Sequence, residues 1–348
     1  MLYCIQYLRA IAALMVVFYH FMNSSVFQGV WYPWVSKLDD FLSVGVDIFF
    51  VLSGFIISLS VFGKKNVPFS RKRFFLSRLI RVYPTYWIFF ITLLAVLSLP
   101  IVSANIGSFS YVLKSFFLIP VFNHNSEFYP FLFVGWSLVF ELYFYLLFMM
   151  TYHKSPKVMM LSLLSSLVIL SMLADHLSYL PLKFLLQSNL VFEFFIGCVI
   201  YVLYNSKVWM TISNVRTIVV LGGSMLVFIV CLIDEGGPFA KACFSVYLLI
   251  VFLLINQSLK KYHLFADIGD ASYTLYLSHS IALLFFSGLW KRGYLIAWPG
   301  FEFLSVVISV LCCVCFALLF YKKVEQPLIM YLNKQSGLYF ERSAKVNV

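Results

Sequence analysis

Ten runs of mostly apolar residues, each close to twenty long, punctuate this chain, at approximately 6–23, 42–62, 82–104, 132–150, 158–174, 184–204, 217–233, 239–257, 272–290 and 301–321. A helix needs about 20 such residues to cross roughly 30 Å of hydrocarbon. Inside that layer only helices or closed barrels satisfy the backbone. The chain is therefore read as all-α: a polytopic membrane helix bundle of about ten transmembrane helices. Composition agrees. Of 348 residues, 62% are hydrophobic and 11% charged, too few charges to cover a soluble surface of that size. A soluble enzyme, a disordered regulator and a secreted disulfide scaffold are excluded. Pro33, Pro68, Pro100, Pro130, Pro156, Pro181, Pro238, Pro299 and Pro327 fall at or beyond the proposed ends, where a missing N–H costs little. The apolar stretch from Tyr111 to Phe122 is short and closes on Pro120; it reads as an interfacial or re-entrant helix inside a long loop.

Lysine and arginine set the orientation. With the N-terminus inside, 19 of the 25 basic residues fall on the inner side, seven of them between Lys64 and Arg81. Six remain outside: Lys37, Lys114, Lys183, Lys241, Lys291 and Arg292. This bias places both termini in the cytoplasm and accounts for the net charge of +11 without a nucleic-acid partner. Acidic residues lean outward: Asp39, Asp40, Glu127, Asp175, Asp234, Glu235 and Glu302. The first run begins almost at Met1 and carries Arg9 and His20, which suits a retained helix rather than a cleaved leader. Residues 328–348 read as a short cytoplasmic tail. The seven cysteines lie mostly in or against apolar runs, without metal-ligand spacing to histidines, and read as small buried hydrophobes. No metal is expected.

Ionisable groups inside a span cost about 2.5–3.5 kcal/mol on insertion scales, so each is a functional candidate. They are Arg9, His20, Asp47, Glu141, Glu193 and His279, and pairing that merely fixes helix packing is the competing reading. Arg9 and His20, eleven residues apart, share a helix face within about 20° and lie roughly 16 Å apart along the axis. An arginine at the inner surface is a phosphate clamp; a histidine three turns deeper is a proton acceptor near neutral pH. The pair suits a long ligand with a phosphorylated head outside the bundle and a reactive end within it. In the basic loop, the lysines read as a topogenic contact with anionic lipid. Arg78 and Arg81, at i and i+3, share a face and make a bidentate phosphate site. In the block Trp136-Ser137-Leu138, Ser137 and Glu141 stack one turn apart, with Tyr145 a turn beyond. A carboxylate there can orient an imidazole or take a proton. Asp47 and His279 read as packing or supporting residues, and Glu193 as the weakest candidate.

These residues sit in motifs that resemble the acyltransferase-3 family of integral membrane acyltransferases, which modify bacterial surface polysaccharides. The motifs are Leu8-Arg9-Ala10-Ile11-Ala12-Ala13 with His20, Gly45-Val46-Asp47-Ile48-Phe49-Phe50-Val51-Leu52-Ser53-Gly54-Phe55, Arg78-Leu79-Ile80-Arg81 leading to Tyr83-Pro84, Trp136-Ser137-Leu138 with Glu141, Ser272-Tyr273 through His279, and Val324-Glu325-Gln326-Pro327. Their order along the chain is more specific than any one of them. The resemblance implies a membrane acyltransferase domain over 1–327 in a bacterial inner membrane. It implies a cytoplasmic acyl-CoA donor, most often acetyl-CoA, with Arg9, Arg78 and Arg81 at its phosphates and His20 at its acyl end. The acceptor it implies is a hydroxyl of a lipid-linked glycan or a surface polysaccharide: O-antigen, capsule or exopolysaccharide.

Two mechanisms follow: His20 as general base in direct transfer, or His20 as a covalent acyl relay. The general base, with Glu141 as orienting partner, is the preferred expectation. Some relatives carry an extra span and a fused extracytoplasmic hydrolase-like domain; this chain has neither, so direct transfer or hand-over to a separate partner is expected. Two other functions compete. Buried His, Asp and Glu also build proton-coupled transporters, though the inverted repeats and broken spans of that class are not seen. A non-catalytic partner in polysaccharide assembly is the third reading.

Overall fold

The computed structural model describes residues 2–24, 32–63, 68–98, 106–214, 237–256, 262–291 and 302–337, with short pieces between 220 and 230. The proposed span 217–233 falls largely outside the described residues. So do Lys64, Lys65, Arg216, Asp234, Glu235, Lys260, Lys261, Arg292, Arg342 and Lys345, together with the tail beyond 337; the side chains of Lys37, Asp39 and Asp40 are likewise not described.

Every described element is helical. In chain order they are α1 Tyr3–Met22, α2 Tyr32–Phe62, α3 Arg71–Leu97, α4 Phe109–Phe116, α5 Trp136–Met150, α6 Pro156–Leu173, α7 Leu180–Gln187, α8 Leu190–Tyr204, α9 Lys207–Asn214, α10 Pro238–Ile255, α11 His263–Asp270, α12 Ser272–Lys291, α13 Glu302–Phe320 and α14 Gln326–Gln335. Eight helical stretches among the described residues are long and apolar enough to cross a membrane. α12 is not among them, yet its 20 residues span roughly 30 Å. Its first half is rich in serine, threonine, tyrosine and histidine and is buried in protein on every side, so it need not be apolar.

Helix ends follow local chemistry. The Ser70 and Ser108 hydroxyls accept from Arg73 N and Tyr111 N, capping α3 and α4, as an N-cap serine does. Asn256 Oδ1 accepts from Cys4 N at 3.3 Å and serves the first turn of α1. The proposed span 184–204 is divided into α7 and α8. Ser188 there takes extended geometry, and its hydroxyl accepts from Leu190 N at 3.4 Å, replacing a helical carbonyl. Beyond Tyr321 one π-helical stretch, Tyr321–Glu325, leads into α14, so the expected boundary at Pro327 lies at the start of a further helix, packed on α3.

The chain divides into two compact units, one of residues 1–59 and 196–321, the other of 60–195 and 322–348. In the first, α1 packs against α10, α11, α12 and α13. Ala10, Ala13, Val17 and Phe21 of α1 form a core with Ile268, Leu275, Val306, Val310, Cys313 and Ala317. Small residues bring the backbones close. A Cβ on Gly45 would stand 2.6 Å from Ala12 O, one on Gly269 2.1 Å from Gln6 O, and one on Gly197 1.9 Å from Val51 O. In lipid, where apolar tails give helices no hydrophobic reason to associate, such close packing is a main source of adhesion.

In the second unit, α3 packs on α5 and α14. Three of its aromatic side chains latch the loop between α3 and α5. Tyr86 OH donates to Ser115 O at 2.7 Å, Trp87 Nε1 to Phe116 O at 3.0 Å, and Tyr83 OH to Phe117 O at 2.8 Å. These are three of the last carbonyls of α4 and its cap, the groups a helix end leaves without intrahelical partners. Short α4 is thus the structured piece of the Tyr111–Phe122 stretch. Burial pushes the Tyr111 phenol up to about 12, so it stays a neutral donor to Tyr129 O at 3.1 Å.

Gly197→Ala should lower the stability of the detergent-solubilised protein by about 1–3 kcal/mol, read by thermal unfolding. Gly288→Ala, with nothing within 4 Å of the new carbon, should be neutral or stabilise by up to ~1 kcal/mol.

Candidate active site

Polar groups gather at one place in each unit. In the first, α1 carries both Arg9 and His20, half-buried on one continuous helix. His20 lies in its last turn, and its Nδ1 is 2.9 Å from Val16 O, one turn back. His279 of α12 is fully buried. Its Nε2 stands 3.3 Å from His20 Nδ1, and its own Nδ1 is 3.3 Å from Leu275 O. The two imidazole centroids are 5.0 Å apart. Tyr19 meets the His20 ring edge-on at 5.2 Å. Tyr276 lies 5.8 Å from His279 and is itself backed by Phe49 at 6.1 Å. Asp47, on α2, is buried two residues beyond Gly45, whose contact with Ala12 seats α2 on α1.

In the second unit the centre is Arg78. Its Nη2 donates to Ser60 Oγ at 2.6 Å. The guanidinium carbon lies 5.2 Å from the Phe74 ring and 5.5 Å from the Tyr145 ring, within cation–π range. Tyr145 is almost wholly buried, and its hydroxyl donates to Glu141 Oε1. The Arg81 guanidinium and the Glu141 carboxylate are near enough to act electrostatically on both Arg78 and Tyr145. Arg81 itself is exposed. The Arg78 Nε is buried without a hydrogen-bond partner. Ser137 is buried at the start of α5, its hydroxyl donating to Val134 O at 3.3 Å.

Several of the sequence-derived candidates are thus brought into clusters. Arg9 and His20 share α1, with His279 against His20; Arg78, Arg81, Glu141 and Tyr145 form a second cluster. The group on His20 Nδ1 from another helix is His279, whereas Glu141 engages Tyr145. Ser60 and Phe74 were missed. Phe74 is one turn before Arg78, a spacing legible as an i, i+4 pair; nothing in the local sequence marks Ser60. Among the described residues no three of His, Cys, Asp and Glu converge as a metal site would require.

The first unit thus carries an imidazole pair and the second a guanidinium cluster. Comparison with known families makes the class definite: residues 2–319 match the acyltransferase domain family, and the chain belongs to it. The protein is an acyltransferase enzyme. It is 28% identical over 300 residues to the exopolysaccharide production protein ExoZ of Rhizobium meliloti (strain 1021), covering 82% of this chain and 89% of that protein. No solved structure matches.

Tyr145→Phe keeps the ring beside Arg78 but removes the hydroxyl from Glu141. It should destabilise the protein by about 0.5–1.5 kcal/mol, the net worth of one hydrogen bond to a half-buried acceptor. Arg78→Lys should not substitute for arginine, because an ammonium lacks the planar face that meets the rings. Thermal unfolding of the two variants beside wild type checks both.

Proposed function

We propose that this protein is an O-acyltransferase of the bacterial inner membrane, with both termini cytoplasmic. It moves an acyl group, most often acetyl, from cytoplasmic acyl-CoA to a hydroxyl of an exopolysaccharide or its lipid-linked precursor. The observation that carries the reading is α1, which holds Arg9 and His20 eleven residues apart on one half-buried helix, in a chain matched to an acyltransferase family over nearly its whole length. Their separation of roughly 16 Å is of the order of an extended pantetheine arm. The acceptor class is supported by the similarity to a protein named for exopolysaccharide production; O-antigen and capsule are chemically equivalent acceptors.

Each residue has a defined task. Arg78 and Arg81, with Arg9, hold the donor's phosphates. The unpartnered Arg78 Nε supports this, since a phosphate oxygen supplies the acceptor it lacks. Glu141 fixes Tyr145, and through it the wall beside Arg78. His20 takes the proton from the acceptor hydroxyl as its oxygen attacks the thioester carbonyl. The carbon–sulfur bond then breaks, and His20 returns the proton to the departing thiolate. Asp47 and Ser137 stabilise the helices that carry these groups.

The test supplies labelled acetyl-CoA and a lipid-linked glycan extract to the purified protein in nanodiscs. Wild type should label the glycan. His20→Ala should lose about 10²–10⁴-fold in kcat, while Arg81→Ala should raise KM for the donor with a smaller change in kcat. Equal labelling by wild type and His20→Ala overturns the assignment.

A further inference from the structure

The His20–His279 contact restricts where the protons sit. Val16 O lies 2.9 Å from His20 Nδ1, and Leu275 O lies 3.3 Å from His279 Nδ1. A carbonyl oxygen can only accept, so each nitrogen facing one must carry its proton. His279, neutral and protonated at Nδ1, then has its lone pair at Nε2, the atom 3.3 Å from His20 Nδ1. The His20 Nδ1–H serves both acceptors, Val16 O and His279 Nε2. The opposite assignment sets lone pairs against both carbonyls. One arrangement of protons satisfies all three contacts, and it makes Nε2 the basic nitrogen of His20.

We infer that His279 is the positioning residue for His20 in acyl transfer. It holds His20 as the Nδ1–H tautomer, fixes the tilt of the ring, and stabilises the imidazolium formed when Nε2 takes the acceptor's proton. This rests on the general-base reading above. During the step the acceptor O–H bond breaks and its proton goes to His20 Nε2. The oxygen forms a bond to the thioester carbon, and the C–S bond breaks with its electron pair on sulfur. The sulfur then takes the proton back from Nε2. Throughout, the Nδ1 proton stays between Val16 O and His279 Nε2.

The surroundings suit that role. His279 is fully buried within α12, with Leu275 and Tyr276 buried beside it. Tyr276 lies 5.8 Å from its ring and Phe49 backs Tyr276, so the imidazole is held from its own helix and from α2. Positions 20 and 279 are 259 residues apart, so only the fold brings them together. A neutral imidazole as the third member performs the orienting task of a carboxylate in the familiar nucleophile–base–orienter arrangement without adding a second buried charge.

The experiment has two arms on the full-length protein in nanodiscs. First, 15N-histidine spectra give the tautomer of His20, its signals identified by loss in His20→Gln. Wild type should show Nδ1–H and a deprotonated Nε2. An Nε2–H tautomer in wild type overturns the inference, whatever the activity. Second, kinetics with labelled acetyl-CoA compare His279→Gln, whose side-chain oxygen replaces the Nε2 acceptor, with His279→Phe, which fills the space without one. His279→Phe should lower kcat by at least about 100-fold, with KM for acetyl-CoA within about twofold. His279→Gln should restore most of kcat and retain the Nδ1–H signal. Equal kcat for the two variants overturns the positioning role. The wild-type spectrum decides the tautomer even if His279→Phe does not fold. Transfer that survives His20→Ala overturns the functional reading instead, and leaves the spectrum to judge the tautomer separately.

Discussion

Inside hydrocarbon there is no water to complete a hydrogen bond, and this constraint shapes much of the polar structure of the chain. An unsatisfied backbone or hydroxyl group there costs several kcal/mol. Several serine and threonine side chains of the spans accordingly bond carbonyls of their own helices: Ser77 to Phe74 O, Thr92 to Ile88 O, Ser280 to Leu277 O and Ser309 to Ser305 O. Where a helix stops short, as α4 does, the neighbouring helix supplies donors, and Tyr83, Tyr86 and Trp87 close the end of the loop. The same rule bears on the two histidines, whose Nδ1 atoms each face a carbonyl of their own helix, Val16 O for His20 and Leu275 O for His279.

Some buried groups are left over, among them the Ser58, Thr85 and Ser272 hydroxyls and Arg78 Nε. Arg78 is held by Ser60 and two aromatic rings, yet its Nε has no acceptor. A guanidinium is rigid and planar, so fixing one face on Phe74 and Tyr145 limits where the remaining N–H bonds can point. Glu141 contributes by fixing the Tyr145 hydroxyl. A structural ion pair would have brought the carboxylate onto the arginine directly. Here the tyrosine hydroxyl stands on the carboxylate.

Much of this was legible in the sequence, for reasons of scale. A hydrocarbon layer demands about twenty apolar residues, so eight of the runs coincide with the membrane-length helical stretches among the described residues. The one-helix relation of Arg9 to His20 and the i, i+4, i+8 series of Ser137, Glu141 and Tyr145 depend only on helical period. Contacts between distant segments were not legible. His279 lies in a polar half of α12 whose residues look like a weak span, and its partner is 259 residues away. Ser60, near the end of α2, meets Arg78 of α3, with no sequence signature. The break between α7 and α8 lies in the short polar segment Gln187-Ser188-Asn189 within an apolar run, and was hidden because a serine hydroxyl can either bond back within a helix or cap a new one.

The choice of a histidine against His20, rather than a carboxylate, follows from the same lipid constraint. A buried ion pair must recover a desolvation cost of several kcal/mol per ion from its geometry. If His20 is the base proposed above, neutral between turnovers, it gains nothing from a permanently charged neighbour during that time. His279 Nδ1 lies 3.3 Å from Leu275 O and the residue is fully buried within α12, so in the role inferred above its orientation is set before substrate arrives. The close contacts of Gly45 with α1 and of Gly269 with Gln6 hold α1 against its neighbours in the first unit. They fix the helix that carries His20 to the tolerance a 3.3 Å contact requires. Loosening either glycine contact should therefore disturb the imidazole pair as well as the packing, which ties the chemistry of the site to the backbone approach that lipid-embedded helices need for adhesion.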